Sequence, residues 1–461
     1  MAGSAAAQFF SCPIIIARSG GSEILVRTDT DSSLPFLDLS RTDRPSKQLA
    51  VGIEKNYGLE AYCLWIGDHS MAQGDATSSN YAVMEVLSEN NLAPSGLRWV
   101  SAEHAARNTS PSDSAVARFL VDLRRYAQDP AAPFAKPGWI KGLFTWVREQ
   151  LHPLRLRPTG GIWQVNAGPA FSLIRLQTSR APVWFKATGE PHTSELSISL
   201  ALAGIIPDFV PHILGVHSAW NGWLSMDVPG RSLADSIDHH AWEKTAQGLA
   251  LLQVATLDKK AELGDAKILE LGNNYLARRI APFTECAAEW MRAQQVPSPA
   301  PLAADELAFL GGQLAESCER LQRRDAPESV GRFDLSPGNI VVSHDGVVFL
   351  DWAEAYWGHP FLSFAYLLEH FRRSHPDAAF EGALETAYRT PWREVCSDQM
   401  ISETLASARL VAALAYTVTS RAWQDRENFQ NPRTGAYLRS MARRMHREAK
   451  HLAERSGACL S

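Results

Sequence analysis

Arg332-Phe333-Asp334-Leu335-Ser336-Pro337-Gly338-Asn339 leads into an apolar run, a His344-Asp345-Gly346 turn and then Val347-Val348-Phe349-Leu350-Asp351-Trp352. Asp334 and Asn339 stand five apart across Ser-Pro-Gly. Pro presets φ and Gly accepts positive φ, so the turn is tight and a carboxylate and an amide meet. Ile340 to Ser343 and Val347 to Leu350 are short β-branched or aromatic runs joined through Asp-Gly, the signature of a hairpin. The hairpin returns Asp351 to the neighbourhood of Asn339. Three oxygen-bearing side chains at its mouth suit a hard Mg²⁺ ion and a transferring phosphoryl group: two ligands for the metal and one acceptor for a hydroxyl proton.

The spacing matches the D-L-x-x-x-N loop of protein kinases, with Asp351 in the place of the metal-binding Asp that follows. As RFDLSPGN, FLDW and GHPFLSFA, the stretch resembles the H-G-D-L-x-P-x-N … I-D-W … G-D-P … D-L-A signature of the aminoglycoside phosphotransferase and choline kinase superfamily. That resemblance implies an α+β, bilobal protein-kinase-like fold with a small β-rich lobe and a large helical lobe. It implies Mg²⁺ and ATP (or GTP) as cofactors, a small-molecule hydroxyl acceptor as partner, and room for a homodimer. The chain departs from the pattern at Arg332 (family His), Phe333 (Gly), His359 (Asp) and Ser363 (Asp), which puts the geometry of the loop in question.

The chain has 461 residues, enough for two to three domains. It is 45% hydrophobic and 21% charged, as expected of a globular protein. A formal net charge of −5 argues against nucleic acid as the main partner. The six cysteines form no Cys-x-x-Cys pair and read as reduced packing residues of a cytoplasmic protein. No apolar run is long enough to cross a membrane.

Working outward, residues 1–127 read as strands with one helix, Ser114 to Tyr126, and weakly resemble a Nudix hydrolase domain. The place of its metal-binding helix, about Val51 to Leu59, keeps a single carboxylate, Glu54, so a degenerate, structural domain is expected. Ala127 to Pro133 reads as a linker, and Trp139, Leu143, Trp146, Val147 and Leu151 as an amphipathic helix closing a segment 128–152. Residues 153–229 then give the β-rich lobe and 230–461 the helical one.

Within 153–229, Val183-Trp184-Phe185-Lys186 is a strand whose Lys186, in the resemblance, reaches the nucleotide phosphates. Glu195, in the first turn of the next helix, is the expected ion-pair partner of Lys186, with Glu190 as competitor. The turn at Asn166-Ala167-Gly168 stands where a phosphate loop would lie. Trp223 to Gly230 reads as a strand entering a hinge, with Met226 and Asp227 placed to contact the base through backbone groups.

Asp334 is assigned to the acceptor hydroxyl, and Asn339 and Asp351 to the metal. Asp351 is followed almost at once by Gly358-His359-Pro360 and a helix, leaving no room for a long peptide-gripping segment, so the acceptor is a small molecule. Glu354, just past the metal Asp, is the candidate for an acceptor contact. Two readings stand: a small-molecule kinase, or a catalytically weak pseudokinase that binds a nucleotide or a partner and regulates.

Overall fold

The computed structural model of the protein describes residues 9–29, 33–40, 42–67, 81–87, 92–107, 115–322, 328–375, 380–420 and 422–458. They form two compact units, Met1–Leu196 with His212–Asp227, and Ser197–Pro211 with Val228–Ser461.

The first unit contains two sheets. Strands β1 (Phe9–Arg18), β2 (Glu23–Arg27), β4 (Ala61–Ile66), β5 (Ala82–Val86) and β6 (Leu97–Ser101) run in the order β4-β5-β1-β2-β6, and β3 (Phe36–Ser40) pairs with β1. Their alternating or continuous apolar sequences bury Ile14, Ile16, Met84 and Cys63 against α1 (Pro45–Tyr57), whose Leu49 and Ile53 face inward. This helix begins six residues before the expected stretch, and Glu54 is exposed on it. The expected helix at Ser114 to Tyr126 is found as Ala115–Gln128; Ser114 itself lies outside the described residues.

The second sheet is five-stranded, in the order β10-β11-β9-β8-β7: β7 (Pro158–Gly168), β8 (Phe171–Thr178), β9 (Val183–Ala187), β10 (Ile213–His217) and β11 (Gly222–Met226). Period-two alternation sends Ile174, Leu176, Val183, Phe185 and Leu224 into the core. There they join the helix Trp139–Leu151, which buries Trp139, Ile140, Leu143, Val147 and Leu151, on the face its heptad-like spacing predicts.

Residue 127, the expected boundary, falls within the first unit. Of the expected linker Ala127 to Pro133 only Ala132 is buried, but Phe134 and Ala135 directly after it are core residues, and Phe134 packs edge-on to Trp139 and Phe185. Polar contacts add a second joint. Gln164, 2% exposed on β7, accepts from the Cys63 backbone N–H at 2.8 Å and donates to the Cys63 carbonyl at 2.9 Å. Its side-chain amide thereby makes the paired bonds of a β-rung between the edge strands β4 and β7. Ser46 adds a hydroxyl bond to the Val165 carbonyl at 3.1 Å.

The second unit is mainly helical: His239–Ala255, Asn273–Arg292, Ala304–Gln322, Phe361–Ser374, Glu381–Trp392, Asp398–Thr419 and Pro432–Ala458 are its longer helices. One apolar cluster runs through them, including Trp242, Trp290, Leu314, Phe364, Leu410 and Met445. Two three-stranded sheets lie among these helices. Ser329–Arg332 pairs antiparallel with Ala355–Gly358, which pairs parallel with Leu269–Leu271. Ile340–Val342 and Val347–Phe349 form the expected hairpin, and Arg231–Ser232 pairs with its first strand. Among the described residues no helix is long and apolar enough to cross a membrane.

Candidate active site

The turn expected to be catalytic begins where the strand Ser329–Arg332 ends. Asp334 Oδ1 accepts from the Ser336 N–H at 3.0 Å, an Asx turn that starts the bend. Asp334 Oδ2 accepts from Asn339 Nδ2 at 2.6 Å. With its nitrogen committed to Asp334, the Asn339 amide keeps its oxygen as a free acceptor. Leu350 N donates to the Asn339 carbonyl at 2.8 Å, so the hairpin brings Asp351 back beside Asn339 as its sequence predicts. Asp351 is in the left-handed region at φ 62°, a conformation that costs a non-glycine residue on the order of 1–3 kcal/mol and persists only where neighbours enforce it.

Arg332 is the enforcer. It is 1% exposed, and Nη2 donates to the Leu350 carbonyl at 2.6 Å and the Asp351 carbonyl at 2.9 Å. Its guanidinium lies 5.0 Å from the Trp352 ring centroid, and the indole in turn donates to the Phe349 carbonyl at 3.0 Å.

The other departures from the sequence pattern are absorbed in the same way. Ser363 Oγ accepts from the Arg332 backbone N–H at 2.9 Å and shares a hydrogen bond with the Tyr356 hydroxyl at 2.9 Å. Phe333 packs its ring on Tyr356, Tyr366 and Tyr416, at centroid distances of 4.7, 5.6 and 6.2 Å. His359 Nδ1 accepts from the Phe361 N–H at 3.3 Å, at the start of the helix Phe361–Ser374. Burial pushes the His359 imidazole down to about 4, which keeps it neutral and able to accept. The loop, whose geometry the sequence left in question, is thus contacted by three of the residues that differ, Arg332, Phe333 and Ser363.

His370, on the same helix, went unnoticed in the sequence. Burial and the charge of Arg373 lower its pKa, while the charge of Asp334 acts to raise it. Nothing in its local sequence sets it apart from a surface histidine. Glu354 is exposed, and its carbonyl accepts from the Phe333 N–H at 3.1 Å.

In the first unit, Lys186 sits on β9, the central strand of its sheet. Lys186 and Trp184 point away from the buried Val183, Phe185 and Ala187. Lys186 Nζ donates to Glu195 Oε1 at 2.6 Å and lies 5.8 Å from the Trp223 ring centroid. Glu195, 1% exposed, opens the helix Glu195–Ile205; Glu190, the competitor, is instead an acceptor for Thr193 Oγ1 at 3.5 Å.

Asp227 is held through its side chain. Oδ1 accepts from Trp184 Nε1 at 2.6 Å, and Oδ2 lies 3.5 Å from an Arg175 nitrogen. The backbone N–H groups of Met226 and Asp227 donate to the carbonyls of His212 and Pro182, at 2.9 and 3.0 Å. Both N–H groups are thus engaged within the protein, while the base contact expected here is through unspecified backbone groups. The Asn166-Ala167-Gly168 stretch is strand rather than turn, because its residues continue the pairing with β8; the chain reverses at residues 169–170.

The sequence of residues 224–396 matches the phosphotransferase enzyme family. The chain is β-rich in its first part and mainly helical in its second, an α+β layout. Among solved structures it is similar to an ethanolamine kinase of Plasmodium vivax, at 13% identity over 65% of this chain and 85% of that one, with a TM-score of 0.44. A choline kinase of Cryptosporidium parvum is similar at 11% identity over 69% of this chain and 97% of that one, TM-score 0.48. A macrolide 2'-phosphotransferase of Brachybacterium faecium is similar at 15% identity over 62% and 98%, TM-score 0.41. No curated protein sequence matches the chain.

Proposed function

We propose that the protein transfers the γ-phosphoryl group of ATP or GTP to a hydroxyl group of a small molecule. The observation that carries this reading is the Asp334 carboxylate locked to the Asn339 amide at 2.6 Å on a hairpin that returns Asp351 beside it. A loose phosphoryl-transfer transition state asks the protein for positioning and charge compensation rather than strong base chemistry. Asp334, fixed by two hydrogen bonds, orients the acceptor hydroxyl and receives its proton as the new O–P bond forms. Lys186, fixed by Glu195, offsets the charge of the phosphates that are not transferred.

The residues fit a Mg²⁺ ion. Among the described residues no three carboxylate, imidazole or thiolate groups converge as a metal cage. A cation held by the Asn339 oxygen and the Asp351 carboxylate would rely on water and phosphate oxygens for the rest of its shell, which is how Mg²⁺ is commonly bound with nucleotides. When bound, it supplies positive charge next to the phosphates. The stretch from Asp351 to the helix at Phe361 holds only one short strand, Ala355–Gly358, which favours a small acceptor over a peptide.

The test is calorimetric titration with Mg-ATP and Mg-GTP, followed by phosphoryl transfer to a panel of hydroxyl compounds, for wild type and Asp334→Ala. Nucleotide binding in both proteins, with transfer in wild type alone, is the expected result. Binding without transfer to any compound would favour the regulatory reading, and absence of nucleotide binding would remove the kinase reading and leave regulation through a partner alone.

A further inference from the structure

Two cavities in the helical unit are lined by arginine, and they differ in charge balance. One, of about 370 Å³, includes Arg372 and Arg409, whose guanidinium groups are both neutralised by Glu381, one at 2.6 Å and the other closer still. The other, of about 430 Å³, lies between the helix Asn273–Arg292 and the end of the helix Asp398–Thr419. Tyr275, Arg278, Arg279, Ser420, Trp423 and Gln424 are among its walls, and no lining residue carries a carboxylate. Elsewhere in this unit Arg320, Arg389, Arg426 and Arg444 each pair with a glutamate. Among the described residues Arg278 and Arg279 have no such partner. Two positive charges on the wall of one hollow, without a counter-charge, raise the local concentration of anions.

Arg279 is also preorganised. Its guanidinium lies 3.3 Å from the Tyr275 ring centroid, and Nη1 donates to the Tyr275 carbonyl at 3.0 Å. The fork's remaining donors keep a fixed plane, the arrangement that favours bidentate recognition of a carboxylate or phosphate. Arg278, one residue away, is exposed and adds the second charge. A helix C-terminus ordinarily repels an anion through its bare carbonyls. Here three of those carbonyls are covered: Thr419 Oγ1 donates to Tyr416 at 3.0 Å, Ser420 Oγ to Thr417 at 3.1 Å and Trp423 Nε1 to Val418 at 3.2 Å.

The cavity is not part of the candidate active site. Neither Asp334, Asn339 nor Asp351 lines it, and the packed rings of Phe333 and Tyr416 stand between it and the turn. An occupant would instead touch two helices that are distant in sequence, and would tie the first turns of Asn273–Arg292 to the residues that close Asp398–Thr419.

We infer that this cavity is a second ligand site, which takes the carboxylate or phosphate group of a small acidic molecule and is separate from the Asp334 turn. Its volume is that of a small-molecule pocket, and the Tyr275 and Trp423 rings offer an apolar wall for the rest of the ligand. The inference does not depend on the phosphotransferase reading, since it concerns binding at a place where no phosphoryl group is transferred.

The experiment is calorimetric titration of the full chain at fixed ionic strength. Succinate and glycerol 3-phosphate distinguish carboxylate from phosphate; glycerol and choline are the neutral and cationic comparisons. At least one acidic probe is expected to bind ten times more tightly than glycerol or choline, and to raise the melting temperature in proportion to its occupancy. Arg278→Gln, at an exposed position that tolerates the change, and Arg279→Lys, which keeps the charge but loses the fork, are each expected to weaken that binding about tenfold. A saturating non-hydrolysable ATP analogue with Mg²⁺ is expected to leave the affinity for the acid within twofold of its value without nucleotide. Acidic probes that bind no better than glycerol, or retention of wild-type affinity in both variants, would overturn the assignment. So would displacement of the acid by the nucleotide analogue, which would put the acid at the phosphate-binding position instead. Failure of the phosphotransferase reading looks different: arginine-dependent binding of the acid would persist while ATP neither bound nor turned over.

Discussion

Replacing Arg332 tests whether the catalytic turn is held from behind. Arg332 gives one guanidinium nitrogen to two consecutive carbonyls, of Leu350 and Asp351, at 2.6 and 2.9 Å. A hydrogen bond from a charged donor is worth about 1.5–3 kcal/mol. Arg332→Met removes both, and it also removes a cation that is costly to bury, so the two effects partly cancel. Net destabilisation of about 2 kcal/mol is expected, read as a shift in the urea midpoint with the slope unchanged.

Activity should suffer more than stability. Asp351 sits at φ 62°, a conformation costing on the order of 1–3 kcal/mol, and without the two anchors that cost is no longer opposed locally. The metal-binding geometry would then be populated about ten- to a hundredfold less, lowering kcat by that factor and raising the Mg²⁺ concentration for half-maximal rate. Arg332→Lys keeps a charge but cannot present the same planar fork, and should fall between. If Arg332→Met loses stability yet keeps kcat and its Mg²⁺ dependence within a factor of two of wild type, the guanidinium is only a core contact and the reasoning fails.

Glu195→Gln should raise the KM for nucleotide about tenfold in steady-state assays, since a buried neutral amide cannot anchor Lys186 as the carboxylate does at 2.6 Å; an unchanged KM would show that Lys186 needs no anchor. Gln164→Leu leaves the Cys63 N–H and carbonyl without the partners they have at 2.8 and 2.9 Å, and should cost about 2–5 kcal/mol in chemical denaturation. His359 should make folding acid-sensitive. Its folded pKa of about 4 lies below the ordinary histidine value, so the neutral form is favoured by folding. Its contribution is complete above about pH 6.5 and is lost as pH falls toward 4, reaching roughly 3 kcal/mol. Denaturation curves of wild type and His359→Gln between pH 7 and 4 would show it, as a slope that the variant lacks.

Much of the candidate site was legible because its chemistry is local. Ser336-Pro337-Gly338 bends the chain whatever surrounds it, so Asp334 and Asn339 meet within five residues; the Asp-Gly turn closes the hairpin that returns Asp351. Lys186 and Glu195 are nine residues apart, a strand and a helix start joined by one loop. Other features depend on contacts that no local pattern encodes. Ser363, read as the loss of a family carboxylate, receives the Arg332 N–H from 31 residues away, because the helix Phe361–Ser374 packs beside that strand. Gln164 completes a rung with Cys63 across 101 residues, since two sheet edges come together there. The run from Ala127 to Pro133 has the composition of a linker, and composition cannot say that the next residue, Phe134, enters the core.

The sequence by itself determined the turn that brings Asp334 to Asn339 and the hairpin that returns Asp351, because backbone preferences over a few residues suffice for that. Only the tertiary structure decided that Arg332 and Ser363 hold the turn in place, and that the first part of the chain is built into the same unit as Lys186. Those outcomes depend on which donors and acceptors burial brings together from distant parts of the chain.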